Sequence, residues 1–257
     1  MSNSSIGIFD SGVGGLSVLK ALRERLPDED FVYVADQAFA PYGKRSKAEI
    51  QARANTISSW LIQHGCKLIV VACNTATTNA IVTLRQTFPV PFVGIEPAIK
   101  PAALGSKTGV VGVLATEGTL SSELFQATTH DHAKNIEVVT QVGHGLVELV
   151  EQGKANSSEA AAQLKKDLAP MLINPIDHLV LGCTHYPFLR ETLEHVLPKG
   201  VTIVDCGYAV AKQADRVLAQ HHLHQKNQGK TTYYSTQQPN KKLWELFGIT
   251  NVKKLKI

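Results

Sequence analysis

The stretch Leu68-Ile69-Val70-Val71-Ala72-Cys73-Asn74-Thr75-Ala76-Thr77 decides how the rest of the chain is read. Five apolar residues, rich in β-branched side chains, run straight into a cysteine and then into small polar residues. Such a run predicts a buried strand. Asn74 and Thr75 are expected to cap a helix from about Thr78 to Thr87. Cys73 then falls at the carboxyl end of a central strand, where open α/β sheets bind ligands. A helix N-terminus beside it would favour thiolate over thiol.

The pattern recurs at His178-Leu179-Val180-Leu181-Gly182-Cys183-Thr184-His185-Tyr186-Pro187. It again gives an apolar run, a cysteine, a polar pair and a helix start. Other parts repeat as well. Gly7-Ile8-Phe9-Asp10-Ser11-Gly12 and Gly109-Val110-Val111-Gly112-Val113-Leu114-Ala115-Thr116 share one plan of strand and polar turn. Glu96 closes the strand after the first cysteine's helix, and Asp205 closes the strand after the second, at nearly the same remove. The duplication predicts two like α/β domains facing across a cleft, each contributing one sulfur.

Composition narrows the classes. At 257 residues, 44% apolar and 19% charged, the chain is expected to fold around a substantial core. A net charge of +4 with only 6% aromatics lacks the footprint of a nucleic-acid binder. No apolar run reaches the length of a membrane span, and the polar Met1-Ser2-Asn3-Ser4-Ser5 start lacks a signal-peptide core. A cytoplasmic location with reduced cysteines is expected. No metal site is expected, because no cysteine–histidine set has zinc spacing. His221, His222 and His224 read as a solvated helix end, and Cys66 and Cys206 as inert core thiols.

The loop Asp10-Ser11-Gly12-Val13-Gly14-Gly15 has neither the dinucleotide fingerprint nor a P-loop, since Ser17 stands where the former needs glycine. It is read as a strand-to-helix turn with backbone N–H groups free for a carboxylate or phosphate. Asp10 is expected to point elsewhere, toward an ammonium group or an acid–base partner. Helices are predicted over 16–26, 47–65, 121–130, 157–172 and 207–222, and Thr231 to Thr236 reads as an antiparallel or edge strand. Trp244 and Phe247 are expected to anchor a short terminal helix.

Two thiols, a carboxylate, His185 and the small donors Ser11, Asn74, Thr75 and Thr184 suit one task. One group removes a proton from one face of a carbon while its counterpart returns a proton to the other. A thiol, with an ordinary pKa of about 8.5, needs only a modest push to serve as base. Fixed donors would stabilise the enediolate formed beside a substrate carboxylate.

On the segments Ile8 to Leu16, Pro41-Tyr42-Gly43, Ala72 to Thr77 and Leu181 to Pro187, the chain resembles the cofactor-independent aspartate/glutamate racemase family. The resemblance implies two pseudo-symmetric three-layer α/β domains with mostly parallel sheets and an active site between them. The first would be discontinuous, 1–97 plus 207–257, with 98–206 as the second. It implies Cys73 and Cys183 as the two bases, assisted by Asp10 and by His185 with Glu151 respectively. Substrate contacts would come from Asp10, Ser11, Tyr42, Gly43, Asn74, Thr75, Thr184 and His185. The implied reaction interconverts L- and D-glutamate with no cofactor and supplies D-glutamate for peptidoglycan. The rival readings are a branch acting on aspartate and a two-lobed amino-acid binding protein. A homodimer is expected, with an interface that the sequence does not mark. Cys206 departs from the serine frequent in the family, and His144 lies where proline is common. Relatives activated by a cell-wall precursor carry a longer N-terminal extension, so that control is not expected here.

Overall fold

Parallel strands covered by helices on both faces need apolar side chains on both sides. Cys66–Val71 and Val110–Ala115 meet this condition, since all six residues of each are buried. The single charge among them, Lys67, meets Glu29 at 2.5 Å, and both side chains are buried. A buried ammonium is tolerated only with such a partner. The computed structural model describes residues 4–132 and 136–257. Met1, Ser2 and Asn3, read above as part of a polar start, lie outside them.

The first half runs β1 (Ser5–Asp10), α1 (Leu16–Arg25), β2 (Asp30–Ala35), α2 (Lys47–Gln63), β3 (Cys66–Val71), α3 (Asn74–Thr87) and β4 (Phe92–Gly94). The second runs α4 (Ile99–Gly105), β5 (Val110–Ala115), α5 (Glu117–Leu120), α6 (Glu123–His132), β6 (Glu137–Val142), α7 (Leu146–Glu151), α8 (Ser158–Leu168), β7 (His178–Gly182), α9 (Arg190–Val196) and β8 (Thr202–Val204). The chain then returns through α10 (Gly207–Gln220), β9 (Thr231–Ser235), α11 (Lys241–Glu245) and β10 (Val252–Lys254).

The strands form two sheets, ordered β10-β9-β2-β1-β3-β4 and β6-β5-β7-β8. Every pairing among the described strands is parallel. The cores β2-β1-β3-β4 and β6-β5-β7-β8 have the same order, as the duplicated sequence plan predicts. In each, the order turns back between the first strand and the third. That is where a crevice opens at the carboxyl ends. The C-terminal segment belongs to the first sheet, and α10 is tied to α1 by an Arg25–Asp215 ion pair at 2.7 Å.

Several element readings need correction. β9 pairs in parallel with β2 and is interior, because β10 forms the edge. The predicted 157–172 helix stops at Leu168, ahead of Pro170. The 121–130 helix is two pieces, a single turn after Thr116 and then α6. The capping residue of α3 is Cys73, whose sulfur accepts from the Ala76 N–H at 3.4 Å. The helix therefore starts at Asn74, and Asn74 and Thr75 lie in its first turn. Helix α2 opens with a full capping box between Ser46 and Glu49, worth about 1 kcal/mol. Trp244 is buried in α11 against Tyr33 and Tyr233, as expected of an anchor. His221, His222 and His224 are exposed. Among the described residues no helix is long and apolar enough to cross a membrane.

Candidate active site

Four strand ends meet at the interface of the two sheets. Asp10 and Ser11 end β1, Cys73 follows β3, Thr116 follows β5 and Cys183 follows β7. These are the two switch points of the duplicated sheet order, turned toward each other. Both thiols line one cavity of about 20 Å³, together with Ser11, Pro41, Tyr42, Gly43, Asn74, Thr75, Thr116, Val147, Thr184 and His185. That volume holds about one water molecule. The residues named from the sequence as substrate contacts thus converge on one point, with Asp10 just behind it.

The polar atoms around this point are almost all committed. Thr75 Oγ1 from the first half lies 2.9 Å from Thr116 Oγ1 and 3.3 Å from Thr119 Oγ1 of the second. Thr184 Oγ1 reaches both Asp10 oxygens at 3.4–3.5 Å. Tyr42 donates to Asp36 at 2.5 Å, and Arg53 and Thr236 hold Asp36 from its other sides. Asn74 is the exception. Its side-chain oxygen and nitrogen are both buried without a partner. Unpaired buried amide atoms are costly, so this carboxamide is matched to a ligand with both a donor and an acceptor.

The glycine-rich loop works differently from the sequence reading. Its N–H groups are not free for an external anion. Gly15 donates to Asp10 Oδ2 at 2.8 Å, and Val13 donates to Glu151 Oε1 at 2.6 Å. Asp10 therefore points into its own loop as well as toward Cys73, with which it shares a hydrogen bond. The glycines make room for the other half of the molecule. A Cβ on Gly12 would stand 1.8 Å from Glu151 Oε1, and one on Gly14 would stand 2.3 Å from His185 Nδ1.

Glu151 and His185 form a relay to the second sulfur. His185 Nε2 lies 2.7 Å from Glu151 Oε1, and His185 Nδ1 lies 3.8 Å from Cys183 Sγ. Burial of His185 opposes its charge, but Cys183, Glu151 and Asp10 outweigh it and hold the imidazole well above its ordinary value. Burial likewise opposes the Glu151 charge, and the bonds from His185, Gln37 and Val13 overcome it and hold the carboxyl below its usual range. The two form a charged pair, so both ring nitrogens of His185 donate.

The first sulfur sits in the opposite environment. Burial, reinforced by the Asp10 charge, pushes the Cys73 thiol well up, and the Ala76 N–H only partly opposes this. This corrects the expectation that the helix N-terminus favours its thiolate. Asp10 itself is raised by burial, against the pull of His185 and the Gly15 N–H. Burial also pushes Cys66 and Cys206 up to about 12, which fits their reading as inert.

Sequence reasoning missed Thr116 and Thr119 as lining groups. Thr116 was visible as the repeat counterpart of the Asp10–Ser11 turn, and that equivalence was the signal. Nothing local marked Val147 or Gln37. Among the described residues no cluster of histidine, cysteine and carboxylate side chains is arranged for a metal.

A model of the Asp/Glu/Hydantoin racemase family matches residues 6–214, and the chain belongs to that family of amino-acid racemases, which are isomerases. It is similar to the glutamate racemase of Stutzerimonas stutzeri (strain A1501), with 44% identity over 237 residues, 92% of this chain and 90% of that one. Among solved structures it resembles a glutamate racemase isoform from Bacillus anthracis, with TM-score 0.90, 30% identity, and coverage of 100% of this chain and 99% of that one. It also resembles Escherichia coli glutamate racemase in complex with L-glutamate and the activator UDP-MurNAc-Ala, with TM-score 0.88, 34% identity and 98% of each chain covered.

Proposed function

We propose that this chain is a glutamate racemase that inverts the α-carbon by proton transfer between two thiols. The observation that carries the reading is that Cys73 and Cys183, from equivalent strand ends of two like sheets, line one cavity. In this reading Cys183 takes the proton of L-glutamate, with charged His185 at its sulfur to stabilise the thiolate. Cys73, kept as a thiol by burial and Asp10, donates to the other face and yields D-glutamate. The roles exchange for the reverse reaction. The enediolate formed between the steps would be held by Ser11, Asn74, Thr75 and Thr184, whose donors are already oriented. Tyr42 and Gly43 would close over the substrate, and the chemistry requires no cofactor.

The same reading divides the chain into domains 1–97 plus 207–257 and 98–206, with a homodimer as the expected assembly. The product would feed peptidoglycan synthesis in a bacterial cytoplasm.

Incubation with L-glutamate in deuterated water, without added cofactor, tests the proposal. Racemisation with deuterium at Cα is expected, and it should vanish in both Cys73→Ala and Cys183→Ala, since inversion needs a base on each face. Exchange confined to aspartate would move the chain to the aspartate branch. Tight binding of glutamate without exchange would make it a binding protein.

A further inference from the structure

We propose that Gln37 is a positioning residue for the second thiol: from the opposite half of the molecule, it fixes the Glu151 carboxylate and, through it, the His185 ring beside Cys183. This rests on the reading of Cys183 as one of the two bases.

The argument is a directed chain of hydrogen bonds that begins in β9. The backbone N–H of Gln237 donates to Ser235 Oγ at 3.2 Å, so this hydroxyl already has a donor on one side. Its own hydrogen goes to Gln37 Oε1, at 2.8 Å. Ser235 is fully buried, with no solvent to compete for that hydrogen. The carboxamide of Gln37 is therefore oriented, and its NH₂ end must face the other way. There it donates to Glu151 Oε2 at 2.8 Å.

The two Glu151 oxygens now have separate duties. Oε2 is held by Gln37, while Oε1 takes Val13 N–H at 2.6 Å and His185 Nε2 at 2.7 Å. A carboxylate bonded at one oxygen alone can turn about its last torsion. Pinned at both, it presents Oε1 to the histidine at a fixed angle. Two of its three partners, Val13 and Gln37, come from the first half of the chain, although Glu151 belongs to α7 of the second. The relay behind Cys183 is thus complete only when the two halves face each other.

The equilibrium constant of a racemisation is unity, so any variant lowers kcat/KM equally in both directions. The two faces must be separated by isotope effects. Gln37→Met keeps the side-chain length and removes both polar ends. It is expected to lower kcat/KM for glutamate about tenfold. The deuterium isotope effect on kcat/KM should rise for L-[2-²H]glutamate, whose proton goes to Cys183, and fall for D-[2-²H]glutamate. Gln37→Glu, which sets a carboxylate against Glu151, should give the same asymmetry with a larger loss. A role in folding alone would leave the two isotope effects in their wild-type ratio, and that result, or kcat/KM within twofold of wild type, overturns the proposal. If the wild-type protein itself fails to racemise glutamate, the reading beneath the proposal falls, and the positioning role falls with it.

Discussion

Gly12→Ala isolates the approach of the two halves with one methyl group. An ideal Cβ at this position stands 1.8 Å from Glu151 Oε1, and real Cβ contacts essentially never come below 3.0 Å, so the carboxylate must retreat by roughly 1.2 Å. The His185–Glu151 contact of 2.7 Å would then stretch to about 3.9 Å, past hydrogen-bonding range. Gly12 does not have positive φ, so alanine can take its backbone conformation. The displaced atom is the far end of a flexible side chain, and the damage therefore falls on the relay rather than on the fold. A hydrogen bond to a charged group is worth about 1.5–3 kcal/mol. If the transition state feels all of it, racemisation slows roughly 10- to 150-fold. The assay is coupled detection of D-glutamate, with thermal unfolding as the control. The variant should melt near wild type, and in a Glu151→Ala background the same substitution should cost almost nothing further. Full additivity of the two losses, or wild-type turnover in Gly12→Ala, would refute the reasoning.

Three further outcomes follow from the geometry. Arg53→Met strips the guanidinium from Asp36, whose side chain is fully buried, and should cost about 3–5 kcal/mol in urea unfolding; a loss under 1 kcal/mol would contradict the pairing. Asp10 has its folded-state pKa raised by burial, so the native chain holds this proton more tightly than the unfolded one. Its contribution to stability is present below the ordinary aspartate value of ~3.9 and is lost as pH rises through the raised one. Asp10→Asn should therefore unfold less readily than wild type at neutral pH while losing activity, with the stability gap closing on acidification; an unchanged gap between pH 4 and 7 would count against it. Lys44→Ala removes a 2.6 Å bridge to Glu148, but the lysine is 72% exposed. It should change stability by no more than about 1 kcal/mol in a denaturant titration.

The parts legible in sequence were those written in short range. The apolar runs into Cys73 and Cys183 marked the strands, and their repetition marked the paired sheets. Readings failed where distant residues intervene. The N–H of Val13 looked free because its acceptor, Glu151, lies 138 positions away. Cys73 was missed as a helix cap because sulfur is not among the usual capping atoms. Its proton affinity was misjudged because burial and Asp10 outweigh the helix end. The strand Val252–Lys254 has three residues, two of them lysine, and pairs with β9 only after the chain has folded back. Gln37 and Ser235 carry no motif at all. Their importance comes from standing on adjacent strand ends brought side by side by parallel pairing.

Around the thiol cavity the two halves touch through hydroxyls, an amide and ion pairs: Thr75 with Thr116, Gln37 with Glu151, Lys44 with Glu148 and Ser17 with the Thr184 carbonyl. Apolar contact between them is made elsewhere, as where Phe188 meets Phe247. A seam of this kind trades its bonds for water at a net cost of only about 0.5–1.5 kcal/mol each. Breathing wide enough to swallow a zwitterion much bulkier than the resting void would bare no greasy skin, and the protein could gape on every turnover without becoming sticky toward its neighbours.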